Sequence, residues 1–73
     1  MTFDEAVEAA LAEVKDPYAQ TYLQALDEAR TVYGDGGVKV QVLYCLSNMQ
    51  HYRGETARAV KKAFKQKVKE LGG

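Results

Sequence analysis

The chain reads as an all-α protein, a compact bundle of four helices at about 3–15, 17–33, 38–52 and 55–71, with the third helix central. Two observations predict this. Apolar residues recur at spacings of three and four through each of these segments, the period of one buried helix face. Between them stand residues that start or stop helices: Thr2, Asp16-Pro17, the run Gly34-Asp35-Gly36-Gly37, and Arg53-Gly54. At 73 residues there is room for a single domain, 1–73, with one modest core. A chain of that size buries only about 60% of the surface its unfolded form exposes.

The first helix opens on Thr2-Phe3-Asp4-Glu5, which fits a capping box. In that arrangement the threonine hydroxyl accepts from the amide three residues on, and the glutamate reaches back to the threonine amide. Phe3, Val7, Ala10, Leu11 and Val14 make its apolar stripe, while Asp4, Glu5 and Glu8 stand near the positive end of the helix dipole. Asp16-Pro17 then starts the second helix, since proline suits a first turn and aspartate an N-cap. Its stripe collects Tyr18, Tyr22, Ala25, Leu26, Ala29, Val32 and Tyr33, with Leu23 off the stripe and Gly34 placed as a left-handed C-terminal residue.

Gly34-Asp35-Gly36-Gly37 reads as a connector, because it lacks the lysine and hydroxyl residue of a phosphate-binding loop and the spacing of a dinucleotide fingerprint. Val38, Val40 and Val42 alternate as in a strand, but nothing breaks the chain from Val38 to Tyr52, too long a run for a typical strand. Val38, Val42, Cys45, Leu46, Met49 and Tyr52 share one helical face over that run. Val40, Leu43 and Tyr44, with His51 nearby, project from the other side. Two apolar faces imply two neighbours, either other helices of this chain or a second copy meeting it at Val40, Leu43 and Tyr44.

The last helix has Val60, Phe64, Val68 and Leu71 as its stripe, flanked by Ala57 and Ala63, and ends before Gly72-Gly73. Arg58, Lys61, Lys62, Lys65 and Lys69 fall within an arc of about 100° on another side of it. Net charge is zero, yet residues 1–37 hold eight acids against two bases and residues 38–73 hold two acids against eight bases. A row of cations can track phosphates or stand solvated while attracting the acidic first half; a membrane surface is the poorer fit, because Phe64 is the one large aromatic residue of this helix and its apolar stripe is needed for the core. Gly54 and Val60 have the spacing of a helix-turn-helix. Against that motif, Gln50 stands where a small residue is usual, and Arg53 and Glu55 where apolar ones are.

Catalysis finds little support. Cys45 and His51 are the only thiol and imidazole and point apart on a helix, so Cys45 reads as core and His51 as surface. The acids have no metal-ligand spacing, and no cofactor or small-molecule substrate is implied. One cysteine forms no internal disulfide, and Met1-Thr2-Phe3-Asp4-Glu5 lacks the basic and apolar regions of a signal peptide. No apolar run spans a membrane, so the expectation is a cytoplasmic protein.

The stretch Gly37-Val38-Lys39-Val40-Gln41-Val42-Leu43-Tyr44, continuing through Leu46-Ser47-Asn48 to Arg53-Gly54-Glu55, resembles segments of small uncharacterised all-helical proteins of bacterial phages and prophages. The resemblance covers a quarter to a third of the chain and carries no chemical motif. It implies a context, binding to a host or phage macromolecule, and assigns no residue a role. The reading is thus a non-enzymatic interaction protein with a protein partner or a second copy of itself. The alternative is a nucleic-acid-binding regulator using Arg58, Lys61, Lys62, Lys65 and Lys69.

Overall fold

In a computed structural model that describes residues 1–32 and 34–72, the chain folds as four α-helices: α1 (Phe3–Glu13), α2 (Pro17–Val32), α3 (Asp35–Ser47) and α4 (Glu55–Glu70). They close a ring in which α1 packs on α2 and α4, and α3 packs on α2 and α4. No helix is central. The expected central place of the third helix gives way to a four-cornered bundle, in which α3 keeps an outer side of its own. A radius of gyration of 10.8 Å is close to the ~11 Å of a compact chain of this length.

The helix starts follow their sequence signals. Thr2 and Glu5 form the reciprocal capping box, with bonds of 3.1 and 2.8 Å. The Asp16 carboxylate accepts from the amides of Tyr18 and Ala19 at 2.9 and 3.4 Å, as an N-cap does. Gly54 precedes α4 with φ +119°, a conformation that favours glycine. Gly72 closes the helix at φ +88°, its amide donating to the Lys69 carbonyl.

The second helix is rotated from its expected face. Ala19, Leu23, Leu26 and Ala29 are buried, while Tyr18 is 75% and Val32 67% exposed. At 100° per residue this turns the buried face by about 70° from the Tyr18–Tyr22–Ala25 stripe, and Leu23 becomes core. Tyr33, also placed on that stripe, lies outside the described residues. The rotation has a polar lock. Gln20 Nε2 donates to the Leu11 and Val14 carbonyls at 2.8 and 2.7 Å, satisfying groups that the end of α1 would leave open. Burying Leu23 instead of Tyr18 also keeps a phenolic hydroxyl in water.

The third helix begins earlier and ends earlier than expected. Gly34 is extended at φ −80°, ψ −179°, so it is the N-cap of α3 and not a left-handed end of α2. Asp35-Gly36-Gly37 forms the first helical turn, with the Gly37 and Val38 amides donating to the Gly34 carbonyl. At the other end Ser47 Oγ and Asn48 Nδ2 donate to the Leu43 and Tyr44 carbonyls, polar side chains competing with the helix backbone. The chain then turns, yet Met49 stays buried and Tyr52 half-buried, so the apolar pattern runs on past the helix. His51 accordingly sits exposed in the α3–α4 connection and not on a helix surface.

Phe64 is the largest fully buried side chain, and the Phe3 ring packs on it at 5.6 Å between centroids. With it, Val7, Leu23, Leu26, Val42, Met49 and Val60 form one core shared by all four helices and the α3–α4 connection. Among the described residues no charged side chain is buried, and no buried side-chain polar atom lacks a partner.

Candidate partner-binding surface

The core stripe of α4, Ala57, Val60 and Phe64, fixes which way its cations face. Arg58, Lys62, Lys65 and Lys69 are exposed and Lys61 is half-buried, and all five line one open depression on the helix, together with Gln66 and Val68. From Arg58 to Lys69 the strip rises about 16 Å. The acids of α4 sit at its two ends, Glu55 one turn before Arg58 and Glu70 at the last residue.

Among the described residues the two ion pairs both belong to Arg30, which reaches Asp4 at 2.8 Å and Asp27 at 2.7 Å. Both pairs lie within the acidic first half. None of the five strip cations is ion-paired to a described residue, so the acids of α1 and α2 do not neutralise the strip. What joins α1 to α4 instead includes the Phe3–Phe64 ring contact and Lys67 Nζ, 5.2 Å over the Phe3 ring. Lys67 lies about 120–180° from the strip cations on the wheel and is not part of it.

Lys61 differs from its neighbours. Its ammonium donates to the Tyr52 carbonyl at 2.6 Å, tying the α3–α4 connection to α4. Tyr52 in turn donates its hydroxyl to Glu13 at 2.9 Å, linking that connection to the end of α1. Burial pushes the Tyr52 phenol up to about 12, and the Glu13 carboxylate it bonds adds to the shift. Lys61 is therefore partly a structural residue, which sequence spacing alone did not separate from the other four cations.

The helix-turn-helix spacing finds no matching turn. Residues 48–54 join α3 to α4, longer than the three- or four-residue turn of that motif. Cys45 is fully buried, and burial pushes its thiol up to about 12, away from the thiolate a nucleophile needs. Glu13, Asp16, His51, Tyr52 and Arg53 gather at a cleft where the two loops meet, but Cys45 does not line it. Among the described residues no cluster of histidine, cysteine and acidic side chains could hold a metal ion, and no helix is long and apolar enough to cross a membrane.

The trio Val40, Leu43 and Tyr44 is 45–52% exposed. Tyr44 leans on the Tyr22 ring of α2, 5.8 Å between centroids, and Val40 borders a hollow against Ala25 and Ala29 of α2. Leu43 is about 100° from Tyr44 on the wheel. Comparison with family models, with curated proteins and with solved structures finds no match to this chain.

Proposed function

We propose that this chain is a small non-enzymatic interaction protein that binds an acidic surface of a protein partner through the cationic strip of α4. One observation carries the reading: Arg58, Lys62, Lys65 and Lys69 stand exposed on one helix, with no ion pair to an acid among the described residues. Like charges at helical spacing repel, so an unpaired row of them disfavours the isolated fold and favours a complex with an anionic partner. In this reading the protein acts in the cytoplasm, where its one thiol stays reduced, and by occluding or recruiting its partner. Such action fits the phage and prophage proteins it resembles.

A second reading, a nucleic-acid-binding regulator, has its own observation. Five cations over about 16 Å of rise approach the spacing of phosphates along one duplex strand, about 3.4 Å apiece. The zero net charge weighs against it, because nucleic-acid-binding domains of this size usually carry a basic excess.

Fluorescence anisotropy at low salt separates the two. A short DNA duplex and a polyglutamate peptide of similar charge are titrated with the wild-type protein and with Lys62→Gln/Lys65→Gln/Lys69→Gln. Binding of the peptide, weakened at least about tenfold in the variant, supports the protein-partner reading. Tight duplex binding with a steep salt slope moves the function to nucleic acid, and binding of neither probe removes the role of the strip.

A further inference from the structure

We propose that the α2–α3 face is a self-association surface, on which a second copy of this chain docks about a two-fold axis running at right angles to both helices and passing beside Tyr22. The inference does not rest on the partner of the α4 strip, which lies off this face.

α3 is apolar on opposite sides. Val38, Val42 and Cys45 face the core, while Val40 and Tyr44 are half exposed, and a helix with two apolar faces ordinarily has both covered. α2 extends the same outer surface. Tyr18 stands 75% exposed one helical turn from Tyr22, which packs on Tyr44. Tyr18, Tyr22, Ala25, Val40, Gln41 and Tyr44 carry no charge, and Glu28 alone stands at the rim of the hollow. Charge selects the occupant. An acidic partner is drawn to α4 and a basic one to the acids of the first half, whereas a neutral, tyrosine-rich face can meet its own copy without repulsion.

Shape supplies the register. Ala25, Ala29 and Gly37, all small, make a hollow bordered by Val40 and Gln41. Tyr18 protrudes from the same face about 10–16 Å along α2 from the hollow, and Tyr22 lies near the midpoint. Rotation about an axis at Tyr22 drops Tyr18 of each copy into the hollow of the other and brings Val40 against the partner copy's Tyr44. One face of a molecule measuring 29 × 21 × 19 Å offers on the order of 600 Å2, the low end of what a specific interface buries on each partner. A reversible dimer is expected, with Kd on the order of 10–100 μM. The same rotation leaves both α4 strips on one side of the dimer, giving a doubled basic face.

Sedimentation velocity of the full chain from about 10 μM to about 1 mM tests the dimer. Wild type should pass from monomer to dimer, and Val40→Lys, folded by circular dichroism, should dissociate at least about tenfold more easily. Tyr22→Cys tests the axis under mild oxidation. Cys45 is buried, so a disulfide-linked dimer reports the new thiol. Monomer throughout the range, or a dimer that Val40→Lys leaves unchanged, overturns the proposal. A Val40-dependent dimer in which Tyr22→Cys stays uncrosslinked overturns the placement of the axis.

Discussion

Replacing Lys65 with glutamine should make this fold more stable, an unusual outcome for the removal of a charge from a helix in a protein with zero net charge. Lys65 is exposed at the middle of the strip, with Lys61 four residues before it, Lys62 three before and Lys69 four after. Like charges at these spacings destabilise a helix by about 0.2–0.5 kcal/mol per pair. Three such pairs disappear together, while glutamine matches lysine in helix propensity. The expected gain is about 0.5–1.5 kcal/mol at low ionic strength, several degrees in the midpoint of thermal unfolding for a domain this small. Urea unfolding in about 20 mM and about 500 mM salt reads it, since screening at the higher concentration should remove most of the difference. A Lys65→Gln protein that is no more stable than wild type at low salt would refute the claim that these cations stand unpaired and mutually repelling.

Three further outcomes follow from the packing. Leu23→Ala should cost about 2–5 kcal/mol and Tyr18→Ala less than about 0.5 kcal/mol, the reverse of what the apolar stripe through Tyr18 implies; chemical denaturation of the pair decides which face of α2 is buried. Gln20→Ala should lose about 1–3 kcal/mol, two part-buried hydrogen bonds to the end of α1 at about 0.5–1.5 kcal/mol each, and Gln20→Glu should not restore it, because a carboxylate cannot donate to the Leu11 and Val14 carbonyls. The Tyr52 phenol has its pKa raised from 10.0 to about 12. Its contribution to stability is thus complete below pH 10 and lost as pH rises through 12. Subtracting the pH profile of Tyr52→Phe from that of wild type should show that loss, and parallel profiles would contradict the burial of the phenol against Glu13 that raises its pKa.

Where local signals were strong and single, the sequence was sufficient. Thr2 with Glu5, Asp16 with Pro17, and Gly54 each start a helix where side-chain chemistry and φ demand it. The stripe of α4 is buried as its period requires, which in turn set the cations outward. Ambiguity arose where two signals overlapped. α2 carries two apolar stripes about 70° apart, and the choice between them depends on Gln20 meeting the end of α1, a contact no local pattern encodes. Gly36 and Gly37 disfavour helix in isolation, yet the first turn of α3 is held by bonds to Gly34 and by its packing on α2. Met49 and Tyr52 kept the helical period beyond Ser47 because a turn, too, can return side chains to the core. The candidate strip was legible as an arc of charge. That its members are unpaired, and that Lys61 is committed to the Tyr52 carbonyl, needed the tertiary structure.

The most direct test of the interaction surface compares what the protein retains from its native host with and without the strip. Immobilised wild type and Lys62→Gln/Lys65→Gln/Lys69→Gln, matched in helicity by circular dichroism, are exposed to the same extract at low salt. The retained protein is then purified and its affinity measured at rising ionic strength. The expected partner is acidic, binds wild type with a strongly salt-dependent Kd and binds the variant at least about tenfold more weakly. A partner held equally by both proteins, with an affinity indifferent to salt, would contradict it.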